Sequence, residues 1–455
     1  MESKLHYTVR GLMPRARSDL AQLVAFQSVA DPQQFPPQEC RATAEWLVSA
    51  FTEAGLGEMR TVRTSDGSDA VVGNAPGPDG APTVLLYCHY DVQPPLDEQA
   101  WRTPPFELTE RDGRWYGRGS ADCKGNIVMH LTALRALGAA DFPVGLKFVA
   151  EGSEEQGTGG LEELVAQQPE LFAADAILVC DTGNFAPRLP TATTSLRGLV
   201  NVVVSVSTLN GEMHSGMFGG PAPDALAALV RLLDTLRDAE GGTAIKGLDA
   251  GGRWQGVAYP AARFRADAGV LDDVTLLGSG EIADELWARP AVTVLGIDCP
   301  PVVGSAAAVP ASVRARVSLR VPPGVDSDKA LVALTEHLYA AAPWGAKVSV
   351  DTEAVGQPFQ ARTDGPAYAA LGAAMRAAYG TDMVYAGQGG SIPLCNVLST
   401  MFPRAEIALI GVEEPHCLIH APNESVDPVE IEHMALAEAL FLNEYAATGR
   451  GRSSR

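Results

Sequence analysis

The sequence predicts an α/β catalytic domain, built on a mixed, mostly parallel sheet, that is interrupted by a smaller α+β domain. Three observations carry that expectation. Short apolar runs alternate with helical stretches in the first part of the chain, and several of the runs end on an acid or a histidine. After Arg197-Gly198 the pattern changes to long, valine-rich, alternating strands. Acids and histidines following an apolar run then reappear near the C-terminus. The 455 residues exceed what one core usually holds, about 250–300 residues. The economical division is 1–197 and 358–455 for a discontinuous catalytic domain, with 198–357 inserted.

The elements follow in order. Residues 18–30 and 39–56 carry apolar side chains at helical spacing, with Asp31–Pro37 breaking between them. Thr83–Cys88, Val144–Ala150 and Ala176–Cys180 are short apolar runs of the kind buried on both faces of a sheet. Ile127–Leu137 reads as a crossover helix. In the insert, Leu199–Leu209, Val292–Ile297, Val313–Val321 and Ala346–Val350 read as strands, and Asp224–Arg237 and Leu331–Ala341 as helices. Residues 361–380 and Pro428–Ala446 are helical again, and Glu406–Ile410 is a last strand.

Composition removes several functional classes. A formal net charge of −21 repels phosphate backbones, which argues against a nucleic-acid partner. No apolar run approaches the ~20 residues of a spanning helix, so no membrane role is expected. Seven scattered cysteines, an odd number with no CxxC, suit a reducing compartment, and the cytoplasm is the simplest location.

The chemistry lies at the strand ends, where open α/β sheets place their ligands. His89-x-Asp91 puts both side chains on one side of a strand end, so Asp91 can accept the free imidazole N–H and orient His89 as a ligand. Asp122 sits in a glycine-rich turn before a helix, where it can bridge two metals or cap the helix. Glu154 and Glu155 are adjacent acids after a buried strand; one can bind metal while the other takes a proton from activated water. Asp181 is another strand-end acid. His416 and His420 compete for the last position, and the residues alone do not choose. The pool is large enough for two divalent ions and a general base, which points to metal-assisted hydrolysis.

These signals lie within a longer pattern. It comprises His89-Tyr-Asp-Val-Gln-Pro94, Gly117-Arg-Gly-Ser-Ala-Asp-Cys-Lys-Gly125, Glu151-Gly-Ser-Glu-Glu155, Met213-His-Ser-Gly-Met-Phe-Gly-Gly220, Ser318-Leu-Arg-Val-Pro322, Gly389-Gly-Ser-Ile-Pro393 and His420-Ala-Pro-Asn-Glu424. In order and content it resembles the M20 family of metallopeptidases, in its carnosinase-like, non-specific dipeptidase branch. The resemblance implies two divalent ions per subunit, Zn²⁺ first and Mn²⁺ next. One would be held by His89, Asp122 and Asp181, the other by Asp122, Glu155 and His420. It implies Glu154 as general base and Asp91 as the residue orienting His89. His214 of the insert would reach the partner's site in a homodimer and stabilise the oxyanion. Arg320, Ser391 and Gly390 would bind the substrate's terminal carboxylate. The implied substrate is a dipeptide or short peptide. The alternatives are an N-acyl-amino-acid amidohydrolase of the same family, and a non-catalytic metal-binding protein that keeps the fold. Two departures stand out. Cys123 occupies a place where the family often has a second acid, after a peptide bond that is typically cis. Ala306–Ala308 lacks a hydroxyl that carnosinase-like enzymes tend to carry.

Overall fold

In a computed structural model the chain is described over residues 2–138, 142–390 and 392–450. The apolar runs become the middle of a sheet. Gly145–Glu151, Thr83–His89, Ala176–Cys180 and Glu406–Ile410 lie side by side and parallel, in that order. Every residue of Ala176–Cys180 and Glu406–Ile410 is buried, as a strand covered on both faces requires. These four strands are the parallel centre of the sheet. Asp69–Ala75 adds antiparallel to Gly145–Glu151, followed by Gly57–Arg63, and Thr191–Leu196 lies antiparallel to Glu406–Ile410. The Gly57–Ala75 hairpin was not among the expected elements, although Asp66-Gly67 at its turn is a short-range hairpin signal.

Helices pack on this sheet with boundaries that differ from expectation in instructive ways. The first helix spans Glu2–Ala25, not 18–30, with Pro14 inside it. Leu5, Val9, Ala16, Leu20 and Leu23 form its buried stripe, so the mixed N-terminal stretch carries its polar residues outward. Its C-terminus is closed by a distant side chain. Lys124 Nζ donates to the carbonyls of Leu23 and Phe26, at 2.8 Å each. Helices Lys124–Leu137, Pro366–Tyr379 and Pro428–Arg450 complete this layer.

The chain divides into two units: Met1–Thr194 with Ala361–Ala386 and Pro393–Arg455, and Ser195–Gln360 with Gly387–Ile392. The second unit has its own antiparallel sheet, ordered Ala291–Asp298, Ser312–Val321, Gly198–Ser207, Lys347–Gly356. Val200, Val202, Val204 and Val206 alternate into a core shared with helices Ala225–Asp234 and Ser327–Ala340. Alternate residues of the same strands face the other way. All seven cysteines are unpaired. Among the described residues, no helix is long and apolar enough to cross a membrane.

Candidate metal centre

Five side chains, each from a different strand end, turn or loop, converge in the first unit. His89 Nε2 lies 2.9 Å from Asp122 Oδ1 and 3.0 Å from Asp181 Oδ1. His420 Nε2 lies 2.9 Å from Asp122 Oδ2 and 3.2 Å from Glu155 Oε2. Each histidine therefore faces two carboxylates, and Asp122 serves both with different oxygens. The described residues place His416 elsewhere: it is exposed, and its backbone N–H donates to Glu414 Oε2 at 2.9 Å.

Asp91 acts differently from the simple strand-end expectation. His89 Nδ1 is 3.1 Å from the Asp91 backbone carbonyl and 3.4 Å from its Oδ1. A carbonyl only accepts, so Nδ1 carries the proton and Nε2 is directed at the acids. The Asp91 carboxylate instead receives the backbone N–H groups of Glu154 and Glu155, at 3.1 Å each. One residue thus sets both the histidine and the two-acid turn. Asp66 braces the far side of that turn by accepting from Ser153 Oγ at 2.6 Å and from Thr158 Oγ1.

Arg118 and Glu424, which lie inside the quoted motifs but were given no role there, fasten the site. Glu424 is fully buried, and its Oε1 accepts the N–H groups of Ala121 and Asp122 at 3.0 and 3.1 Å. Its Oε2 accepts from Gly119 N at 2.9 Å and from Arg118 Nη1 at 2.6 Å. Arg118 returns the contact through Nη2 to the carbonyls of Pro94 and Ala421. The turn bearing Asp122 and the loop bearing His420 are thereby held in register across some 300 residues of chain. Leu418, His420 and Asn423 all have positive φ, a conformation such anchoring sustains. The Asp122-Cys123 peptide is cis. Cys123 Sγ points to the Cys180 carbonyl at 3.0 Å, and burial pushes its thiol up to about 12.

Electrostatics fits the group these residues would hold. Burial, and then repulsion from Asp181, pushes Glu154 up to about 9. Burial likewise raises Asp181 and Glu413. The hydrogen bond to Asp122 raises His420 to about 10. Burial raises the acid form of Asp122 too, but the two histidines outweigh it and hold this carboxyl below its usual range. Among the described residues, the buried Oε1 atoms of Glu155 and Glu413 have no hydrogen-bond partner. More acid is gathered than two imidazoles balance, and divalent cations held here would supply the missing positive charge. Glu413 was not among the expected residues, yet one of its oxygens lies within 4.8 Å of ligand atoms of Asp122 and Asp181. It too follows a strand, Glu406–Ile410, so the strand-end rule extends to it.

Glu151, at the end of Gly145–Glu151, is a separate titration test. Burial, and next Glu162, raises it to about 8, and Tyr87 Oη donates to it at 2.8 Å. A carboxyl raised in the fold contributes stability that is complete below its ordinary 4.5 and lost as pH climbs through about 8. In metal-free protein, Glu151→Gln should match the parent's Tm at pH 5 and exceed it by a few degrees at pH 8.5, read by calorimetry. Equal Tm values at both pH values would show that Glu151 ionises normally.

The remaining expected residues lie in the second unit. His214 is exposed on the short strand Met213–His214, opposite Ala308. Arg320 is half-buried on Ser312–Val321. Gly390 is exposed, and Ser391 lies outside the described residues.

Two His–carboxylate groups sharing one aspartate define a candidate centre of the dinuclear hydrolase class. The profile of Peptidase family M20/M25/M40 matches residues 85–444, and the chain belongs to that family. It is 47% identical over 409 residues to a cysteinylglycine-S-conjugate dipeptidase of Corynebacterium striatum, covering 88% of this chain and 89% of that one. It is 28% identical to a Cys-Gly metallodipeptidase of Schizosaccharomyces pombe, over 90% of each. Human carnosine dipeptidase 1 superposes with a TM-score of 0.79 at 26% identity, covering 98% of this chain and 99% of that one.

Proposed function

We propose that this protein is a dinuclear metallodipeptidase that hydrolyses dipeptides with a free terminal carboxylate, Cys-Gly and its S-conjugates foremost. The observation that carries the reading is Asp122 offering one oxygen to each histidine. His89, Asp122 and Asp181 would hold one ion, and Asp122, Glu155 and His420 the other. Zn²⁺ is the first choice, with Mn²⁺ close behind because carboxylates outnumber imidazoles in both sets. When bound, the ions would polarise the scissile carbonyl and acidify the attacking water.

Glu154 is the general base. Its turn is fixed by Asp91, so its carboxylate is presented beside the ligands while remaining outside both His-centred groups. It takes the proton of the attacking water and returns it to the leaving amine. Arg320, Gly390 and Ser391 are proposed to receive the substrate carboxylate. The protein works as a homodimer in which His214 serves the partner's site. Free cysteines support a cytoplasmic location, which cell fractionation checks.

A substrate panel tests the reading against its nearest rival. Cys-Gly, an S-alkylated Cys-Gly, β-Ala-His and N-acetyl amino acids should be compared at saturating metal. Dipeptide turnover with the S-conjugate among the best substrates is expected. Turnover of N-acetyl amino acids alone would make the chain an amidohydrolase. No turnover with metal bound would make it a binding protein.

A further inference from the structure

Arg197 is a buried guanidinium of the second unit. It is 9% exposed, and its Nε and Nη1 are buried with no hydrogen-bond partner among the described residues. Burying a guanidinium without an acceptor is unfavourable unless something outside the chain supplies one. Its surroundings make the cost larger. Burial, and next the charge of Arg320, pushes Arg197 down to about 10.

Strand register explains the pairing of these two cations. Arg320 lies opposite Leu199 in the antiparallel ladder. Residues opposite each other share a face, and so do residues two apart on a strand. Arg197 immediately precedes Gly198, the last rung of that ladder, opposite Val321, so it lies beside Arg320 at the end of the sheet and feels its charge. Farther along the face that carries Arg320 the arginines are neutralised: Arg314 pairs with Asp298 at 2.5 Å and Arg316 with Glu353 at 2.8 Å. Among the described residues neither Arg197 nor Arg320 forms an ion pair, so this end of the sheet keeps an uncompensated double cation.

A glycine turn closes over that end. Arg197 N–H donates to the Gln388 carbonyl at 3.3 Å. A Cβ placed on Gly389 would come within 3.0 Å of Arg197 Nη2, so the backbone runs tight against the guanidinium. Gly389 is followed directly by Gly390, already proposed to meet the substrate carboxylate.

We propose that Arg197 is a specificity-determining residue that, with Arg320, forms a two-guanidinium receptor for the free carboxylate of the substrate. This rests on the dipeptidase reading and deepens it. Each guanidinium offers N–H groups in a planar fork, and two forks at an angle can satisfy both oxygens of one carboxylate. Unlike Arg320, Arg197 has buried donors that are satisfied only when a ligand arrives. A substrate lacking the carboxylate leaves them empty, which is how a buried polar site rejects an analogue.

The test compares a dipeptide with its C-terminal amide, using the metal-loaded parent, Arg197→Met and Arg197→Lys. Arg197→Met should raise KM for the free dipeptide about 10- to 100-fold, the scale of a lost charged hydrogen bond. Its kcat should stay within a few-fold, and its KM for the amide should stay near the parent's. Arg197→Lys should fall between. Because an unpaired buried cation is removed, the Tm of Arg197→Met should not fall. A dipeptide isostere with a reduced amide bond should raise the parent's Tm more than the variant's. Unchanged KM and unchanged preference for the carboxylate over the amide overturn the proposal, and so does equal loss on both substrates. If Arg197→Met does not fold, Arg197→Lys decides by the same split. A parent that hydrolyses no dipeptide refutes the dipeptidase reading, while the isostere shift still reports on the receptor.

Discussion

Glu154→Gln should bind two divalent ions per chain and hydrolyse its dipeptide at least about 10³-fold more slowly than the parent, within the range of a lost general base. Gln cannot accept the water's proton, yet the side chain keeps its size, and the backbone N–H of residue 154 still meets Asp91 Oδ1 at 3.1 Å. The proposed ligands His89, Asp122, Glu155, Asp181 and His420 are untouched. Asp122→Asn is the contrasting case. Asp122 is the residue common to both histidines, and an amide offers one oxygen where the carboxylate offered two. That variant should lose at least one equivalent of metal together with its activity. Metal content by mass spectrometry beside dipeptide turnover separates the two, and also decides between Zn²⁺ and Mn²⁺. Full turnover by Glu154→Gln would exclude it as the base.

What could be read in advance, and what could not, follows from the range of the interactions. Thr83–His89 and Ala176–Cys180 announce themselves because a strand buried on both faces must be apolar throughout, and its polar successor must be where the sheet ends. Glu155 and Asp181 are reached by that logic, and Asp122 by its glycine-rich turn ahead of a helix. The choice between His416 and His420 is not, because it depends on a loop whose shape is set by Glu424 reaching the backbone of Gly119, Ala121 and Asp122. Such a partner is invisible to periodicity; it is one carboxylate meeting N–H groups far away in sequence. The start of the first helix was obscured for a related reason. Residues 2–17 are charged on the outer face, and only the inward stripe of Leu5, Val9 and Ala16 keeps the helical period. Arg197 escaped motif reading altogether. Its interest lies in what it lacks, and a missing partner is legible only once neighbours have coordinates.

Mixing two inactive variants should restore activity if His214 serves the neighbouring subunit. The imidazole is prepared for such work. His214 Nδ1 accepts the Gly216 N–H at 3.1 Å, so the ring proton of the neutral form is on Nε2 and available to an oxyanion. The residue is exposed on its own chain, with Ser215 N–H tied to the Ala307 carbonyl at 2.8 Å to fix the turn. His214→Ala and Glu154→Gln should each be nearly inactive as homodimers. In a mixed dimer one site combines both defects, while the other has an intact Glu154 and receives an intact His214. Random exchange at equal amounts makes half of the dimers mixed, each with one good site of two, so about a quarter of parental activity should return. Size-exclusion chromatography and differential tags establish that the mixed dimers form. Mixed dimers without recovered activity would place the oxyanion donor within the same chain as Glu154, and His214 would then be an exposed turn residue.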